Sequence, residues 1–120
     1  MTIKVGDSIP SGKFTVMGAD GPAERTTAEV FNGKKVALFA VPGAYTPTCH
    51  KTHMPGFVDR VAELKAKGID TIACTAVNDV FVLDNWSKDT GAAGKIEMLA
   101  DGSGDFAKAL GLEIDLSGFG

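Results

Sequence analysis

The chain reads as an α/β protein, and three features of its pattern say so. Two β-rich apolar runs, Val36–Val41 and Ile69–Val77, enclose a stretch whose apolar residues recur at helical spacing. A third short run, Ile96–Ala100, follows a second helical stretch, so strands and helices alternate in the manner of a partly parallel sheet. A length of 120 residues fits one domain, residues 1–120, with a core of useful size.

From Met1 to Gly33 the chain reads as short extended pieces, because Gly6-Asp7, Pro10-Ser11-Gly12 and Asp20-Gly21-Pro22 punctuate runs too short for helices. Thr27 is placed to cap a small helix through Phe31. Val36–Val41 is continuously apolar, the mark of a strand covered on both faces, and is expected at the centre of the sheet. A helix is predicted from about Cys49 to Lys67. Phe57, Val61 and Leu64 form its apolar face, Asp59, Arg60, Glu63 and Lys65 fill the other, and Gly68 suits its C-terminal exit. Pro55 should interrupt it early, since proline has no N–H and its ring crowds the preceding turn. Ile69–Val77 then returns as a buried strand, which a right-handed crossover would set parallel to the first.

Asn78 or Asp79 is expected to cap the next helix, whose Phe81, Val82, Leu83 and Trp86 give it a broad apolar surface before Gly91 ends it. Ile96–Ala100 is the third strand. Ser103 is placed to cap a last helix from Asp105 to Leu110, with Gly111 as its stop. Leu112–Gly120 shows no clear element. There is no internal repeat, linker or low-complexity tract.

The net charge of −3 and a pI near 5.2 give no electrostatic reason to expect nucleic acid or an anionic membrane as partner. No run approaches a transmembrane span, and the polar start Met1-Thr2-Ile3-Lys4-Val5-Gly6-Asp7 lacks the apolar stretch of a signal peptide. Two cysteines do not make a secreted disulfide framework, so the expected location is cytoplasmic.

The chemistry points to one of those cysteines. Cys49 ends the proline-bracketed loop Pro42-Gly43-Ala44-Tyr45-Thr46-Pro47-Thr48, which directly follows an apolar strand and precedes a helix. A thiol reacts as thiolate, and the unpaired N–H groups and dipole of a helix start favour that anion. The commoner fate of a cysteine beside an apolar strand is burial as an inert thiol, and residues 42–49 are what distinguish Cys49 from it.

Pro42, Thr46 and Cys49 stand in the order Pro-x-x-x-Thr-x-x-Cys, which resembles the active-site loop of peroxiredoxins. The longer string Pro42-Gly-Ala-Tyr-Thr-Pro-Thr-Cys-His-Lys-Thr-His-Met-Pro-Gly-Phe57 is similar to the peroxiredoxin-5 (type II) branch. The likeness continues through Val77-Asn78-Asp79, the segment up to Trp86, and Leu99-Ala100-Asp101-Gly102. It implies a thioredoxin-like fold with the peroxiredoxin N-terminal additions. It also implies a thiol peroxidase for hydrogen peroxide and alkyl hydroperoxides, with no metal, haem or flavin. Cys49 would attack the peroxide and become sulfenic acid. Thr46 would orient the substrate, Pro42 would wall the pocket, and the N–H groups of Thr48 and Cys49 would hold the developing charge. The reductant implied is glutathione with glutaredoxin, or thioredoxin. A homodimer touching Tyr45–Thr48 and the segment near Phe81 is implied as well.

Two departures from the pattern bear on these expectations. Members of the family continue past a Gly-Phe-Gly segment into further strands, whereas this chain stops at Gly120. The fold expected is therefore a C-terminally incomplete one, with Val36–Val41 left as an exposed, association-prone edge. The family also uses an arginine from a later strand to hold thiolate and peroxide, and only Arg25 and Arg60 are present. Along a helix Arg60 would lie on the order of 16 Å from Cys49 and is no substitute.

Other candidates weigh less. Cys74 lies in a buried-strand pattern and reads as a core thiol; relatives with a second cysteine there make it a possible resolving residue. Disulfide geometry would then require Cα atoms ~4.4–6.8 Å apart, hence local unfolding. Cys49-His50-Lys51-Thr52-His53 offers three potential metal ligands, but its spacing matches no zinc module and Pro55 follows at once. His53 is expected to hydrogen-bond near the loop and His50 to be solvated or at an interface. Gly102-Ser103-Gly104 lacks the Lys-Ser/Thr of a phosphate-binding loop and reads as a turn and cap. Two other function classes remain open: a non-catalytic thioredoxin-like binding or chaperone module, favoured by the missing arginine, and a disulfide oxidoreductase, disfavoured because Cys49 has no Cys-x-x-Cys neighbour.

Overall fold

The computed structural model describes residues 2–119; Met1 and Gly120, the ends of the expected terminal segments, lie outside that range. The N-terminal extended pieces resolve into an antiparallel hairpin of β1 (Lys13–Gly18) and β2 (Gly21–Thr26), closed with Gly18 opposite Gly21. Gly21 takes φ +114°, a backbone conformation open to glycine. Pro22, expected as punctuation, lies within β2. It is tolerated because β2 is a sheet edge, where a missing N–H removes no ladder bond.

Helix α1 (Thr27–Phe31) is capped one residue earlier than expected. Thr26 Oγ1 accepts the Glu29 N–H at 3.2 Å while the Glu29 carboxylate accepts the Thr26 N–H at 3.0 Å. The glutamate at the third helical position makes Thr26 the better cap. Thr27 is buried and its hydroxyl accepts the Gly12 N–H instead.

Strands β3 (Val36–Ala40), β4 (Thr71–Ala76) and β5 (Glu97–Ala100) complete a sheet of order β2-β1-β5-β4-β3. β3 and β4 are parallel, as the crossover argument expects, and so are β4 and β5; β1 meets β5 antiparallel. β3 is not central. Among the described residues it is the second sheet edge, opposite β2, with Ala40 exposed, while β4 is buried without interruption from Ile72 to Ala76. Apolar continuity reports two covered faces and says nothing of two paired edges, which is why the pattern alone misplaces β3.

Alternation along β4 divides the core into the two faces of the sheet. Ile72, Cys74 and Ala76 join Met54, Leu83 and Trp86, whereas Ala73 joins Phe14, Val30, Leu99 and Phe106. Phe14 and Phe106 meet edge to face at 4.8 Å. Met54, Leu83 and Trp86 are fully buried, each stabilising the first face by roughly 1.5–3 kcal/mol.

The long helix expected from Cys49 is three pieces: a π-helical turn Cys49–His53, α2 (Met54–Asp59) and α3 (Val61–Ala66). The Met54 N–H reaches back five residues to the Cys49 carbonyl. Pro55 supplies the reason, because its ring would press on the Lys51 carbonyl in a regular α-turn and the widened turn relieves that contact. Within α2 it occupies the first turn, where the missing N–H has no partner to lose. The break between α2 and α3 falls at Arg60, whose N–H tightens onto the Phe57 carbonyl; Gly68 then exits α3 at φ +97° as its position suggested.

Helix α4 (Val80–Asp89) starts at Asp79, whose carboxylate accepts the Val82 N–H at 2.9 Å, and is followed by Gly91 at φ +76°. Ser103 does not cap α5 (Asp105–Leu110). Gly104, at φ +73°, turns the chain so that the buried Asp101 carboxylate accepts the N–H groups of Phe106 and Ala107, both at 3.0 Å. Gly111 ends α5 at φ +74°. A 3₁₀ turn at Ser117–Phe119 is the one element among the described residues of the terminal segment. No helix among the described residues is long and apolar enough to cross a membrane.

Candidate active site

The loop from Pro42 to Thr48 leaves the C-terminal end of β3, and the Val41 N–H, donated to the Thr75 carbonyl at 3.1 Å, carries the β3–β4 pairing up to its start. A parallel sheet presents loops at this end, and the π-helical turn begins there. Cys49 opens that turn, is 5% exposed, and belongs to the same buried cluster as Phe39, Val41, Ala44 and Met54. Among the described residues the first backbone bond into the turn runs from the His50 N–H to the Thr46 carbonyl at 2.9 Å. The N–H groups of Thr48 and Cys49 therefore stand outside the turn's own ladder, as at any helix start.

The peptide between Gly43 and Ala44 is gripped from both sides. Its carbonyl, on Gly43, accepts the Thr46 hydroxyl at 2.5 Å, and its N–H, on Ala44, is donated to Asn78 Oδ1 at 2.8 Å. Next in the chain, Tyr45 holds φ +63°, alone among the described non-glycine residues, a conformation that costs about 1–2 kcal/mol. Its hydroxyl donates to the Asp89 carboxylate at 2.6 Å, a bond that raises the phenol pKa above its ordinary value. The Tyr45 ring stacks on His50, centroids 5.5 Å apart, and His50 Nδ1 accepts the indole N–H of Trp86 at 2.8 Å. Asn78, Trp86 and Asp89 thus tie loop and turn to α4 and the residues just before it.

The expected site residues fall as follows. Thr46, Thr48 and Cys49 come together in the loop and turn. Pro42 is exposed and lines a groove of about 520 Å³ bounded by Val77, Gly104, Ile114 and Leu116. Cys74 is fully buried on β4, on the same face of the sheet as Cys49, and both thiols are free. Burial pushes the Cys74 thiol up to about 12, with the negative charge of a Cys49 thiolate adding in the same direction.

His50 is half-buried and bonded to Trp86, not solvated. His53 packs beside the rings of Phe39 and Phe57, at 5.1 and 5.6 Å, in place of the expected hydrogen bond. Among the described residues no three His, Cys, Asp or Glu side chains converge as metal ligands. Arg25 is paired with Glu97 at 2.7 Å across β2 and β5, and Arg60 lies exposed at the α2–α3 junction. The first-turn N–H groups after Gly102-Ser103-Gly104 are occupied by Asp101.

The site residues absent from the sequence reading are Asn78, Trp86 and Asp89. One signal was present. Asn78 and Asp79 are adjacent capping types and only one can cap α4, so the amide of the other is free to bond elsewhere.

Comparison with known proteins bears on this geometry. The profile of the Redoxin family matches residues 4–119. Peroxiredoxin-2E, chloroplastic, of Arabidopsis thaliana is 46% identical over 117 residues, covering 96% of this chain and 50% of its own length. Peroxiredoxin-2B of the same plant is 47% identical over 117 residues, covering 95% and 71%. The chain thus spans about half the length of the first of these curated relatives. Among solved structures, reduced Prx3 of Vibrio vulnificus in complex with hydrogen peroxide superposes with a TM-score of 0.95 at 46% identity, covering 99% of this chain and 75% of that one. Peroxiredoxin 5 of Alvinella pompejana does so at 0.86 and 40% identity, covering 97% and 73%.

Proposed function

The chain belongs to the Redoxin family, as a thioredoxin-like peroxiredoxin of the peroxiredoxin-5 type, and from that premise we propose that it is a thiol peroxidase whose nucleophile is Cys49. The observation that carries the reading is the placement of Cys49: a nearly buried sulfur at the start of a helical turn, three residues after a threonine whose hydroxyl is fixed. The hydrogen peroxide complex of the Vibrio vulnificus relative supports the substrate class. The activity is that of the whole protein, and residues 1–120 contribute to it as one domain on one continuous sheet.

In the proposed step the Cys49 thiolate attacks the terminal peroxide oxygen. An S–O bond forms, the O–O bond breaks, and the leaving oxygen takes a proton to depart as water or alcohol, leaving sulfenic acid. Thr46 has its one hydroxyl proton committed to the Gly43 carbonyl, so its oxygen faces the substrate as an acceptor and takes the O–H of the peroxide. The N–H groups of Thr48 and Cys49 stabilise charge on the oxygens. Pro42 fixes φ where the loop leaves β3, and the apolar cluster around Cys49 excludes water. No metal or organic cofactor enters the step.

Two thiols then return the sulfenic acid to thiol, releasing water and forming a disulfide between themselves. We assign them to an external reductant, glutathione with glutaredoxin or thioredoxin, since Cys74 is buried and holds its proton to about pH 12. The cytoplasm, which keeps the two unpaired cysteines reduced, is the setting we propose. A homodimer through Tyr45–Thr48 and Phe81 is supported by the exposure of Tyr45, Val77 and Phe81 beside the site. The test is to treat the protein with one equivalent of hydrogen peroxide, trap sulfenic acid with dimedone, and follow turnover with each reductant in turn. Adduct on Cys49 and turnover are expected. A folded protein with Cys49 unmodified would favour a non-catalytic thioredoxin-like binding or chaperone module.

A further inference from the structure

Asn78 sits outside the loop that carries the proposed chemistry, yet it controls one peptide plane within it. The Asn78 amide oxygen accepts the Ala44 N–H at 2.8 Å, and the other side of that same peptide, the Gly43 carbonyl, accepts the Thr46 hydroxyl at 2.5 Å. A peptide is planar, so its N–H and C=O point in opposite directions and fixing one fixes the other. With Asn78 in place the carbonyl faces Thr46 and takes its proton. Without it, rotation of the plane would turn the carbonyl away and free the Thr46 hydroxyl to donate in a direction of its own. Gly43 shows how closely these groups are fitted: a Cβ there would lie 3.1 Å from the Thr46 methyl and 4.0 Å from Asn78 Oδ1.

We propose that Asn78 is a positioning residue for the peroxide reaction, acting through the Gly43–Ala44 peptide to hold Thr46 as a hydrogen-bond acceptor toward the substrate. The proposal rests on the peroxidase reading above. It separates two tasks at the start of α4, since Asp79 caps the helix by bonding the Val82 N–H while Asn78 reaches back to the loop. It also separates Asn78 from the sulfur. Cys49 draws its setting from the turn and the apolar cluster, so losing Asn78 should disturb the peroxide reaction and spare reactions that need only the sulfur.

The experiment uses the full-length protein, with Asn78→Ala and Asn78→Asp made alone and each combined with Thr46→Val. Two rates are measured on Cys49: oxidation by hydrogen peroxide and alkylation by iodoacetamide, which has no peroxide oxygen for Thr46 to orient. For Asn78→Ala the oxidation rate should fall by roughly ten- to a hundredfold, the scale of a misplaced orienting group, with alkylation close to wild type. Asn78→Asp, which keeps an acceptor oxygen, should restore most of the loss. In the Thr46→Val background Asn78→Ala should add no further slowing, because the group it positions is gone.

Equal slowing of both reactions, no slowing of either, or full additivity with Thr46→Val would overturn the proposal. Should Asn78→Ala fail to fold, Gly43→Ala disturbs the same peptide with Asn78 intact. Selective loss of oxidation in that variant supports the relay, and uniform loss overturns it. A wild-type protein whose Cys49 does not react with peroxide would instead remove the peroxidase reading itself, a distinct result from a reactive wild type with an unaffected Asn78→Ala.

Discussion

Replacing Cys74 with alanine tests the division of labour between the two cysteines and reaches into the stability of the sheet. The Cys74 thiol is raised from its ordinary value of 9.0 to about 12, first by burial and then by charge on Cys49. At pH 7 the thiolate fraction is then about 10⁻⁵, each pKa unit being a factor of ten. Cys74 should be silent toward iodoacetamide in the native protein, so Cys74→Ala should retain the whole fast alkylation phase and peroxide turnover with an external thiol, and Cys49→Ser should lose both. Stability carries the same signature. Above pH 9 the unfolded chain gives up the Cys74 proton while the folded chain keeps it. The unfolded state then binds fewer protons, and stability falls as pH rises from about 9 toward about 12. Three units correspond to about 4 kcal/mol at the top of that window, all of it present below pH 9. Urea unfolding at pH 7.5 and pH 10.5 should show Cys74→Ala losing less stability between the two than wild type does. Rapid labelling of Cys74 at neutral pH, or loss of turnover in Cys74→Ala, would refute the reasoning and restore Cys74 as a resolving residue.

Thr46→Val should slow peroxide oxidation of Cys49 by about a hundredfold while leaving alkylation nearly unchanged, and Thr46→Ser should be mild, as stopped-flow oxidation beside iodoacetamide kinetics will show. Tyr45→Glu, which places a charge at an exposed residue of the proposed interface, should shift the proposed dimer toward monomer in sedimentation velocity; an unchanged sedimentation coefficient counts against that interface. Thr26→Ala should cost about 1 kcal/mol by removing the α1 cap. The Glu29 carboxyl lies below the usual carboxylate range chiefly because the Thr26 backbone N–H donates to it, with the Thr26 hydroxyl second, so this pairing favours the folded state above the ordinary value of 4.5 and is lost as pH falls through the folded value. Thr26→Ala, which keeps the N–H and removes the hydroxyl, should flatten that acid limb only in part in thermal melts.

The features legible in the sequence are those set by local chemistry. Gly68, Gly91 and Gly111 take the positive φ their positions after helices demand, and β3 and β4 pair in parallel because the segment between them allows no tight turn. What escaped depends on partners distant in the chain. Asp101 displaces Ser103 as the cap of α5 only because Gly104 reverses the chain, and a carboxylate two residues earlier then lies under the helix start. Pro55 announces a disturbance, yet the residue pattern alone does not say whether the turn before it kinks or, as found, widens, with Cys49 and Met54 at its two ends both buried. Cys49, Thr46 and Thr48 are close in sequence and could be found there. Trp86 and Asp89 lie 36 and 44 residues from the groups they bind, His50 and Tyr45, and their apolar and exposed helix positions gave no sign of that task.

Those distant ties set a condition on the proposed cycle. Cys49, at 5% exposure, can be reached by a peroxide of a few atoms, whereas a thiol on a protein or tripeptide must bring its sulfur to bonding distance of the sulfenic sulfur, which needs room the folded turn does not give. In the proposed cycle the oxidised turn would therefore open before it is reduced. The structure makes such opening affordable. A π-helical turn is a poor ladder, and Tyr45 sits in a strained backbone conformation that relaxes once its hold on Asp89 is released. Against this stand three side-chain bonds, from Ala44 to Asn78, Trp86 to His50 and Tyr45 to Asp89. They are strong enough to shape the loop for peroxide, yet at roughly 0.5–1.5 kcal/mol for each of the two neutral bonds and roughly 1.5–3 kcal/mol for the one to the Asp89 carboxylate they are weak enough to break within one turnover. A site built wholly from the sheet would be better ordered and could not be regenerated. Placing the proposed nucleophile on a turn braced by Asn78 and by side chains from α4 would let the same sulfur meet a small oxidant when closed and a large reductant when open.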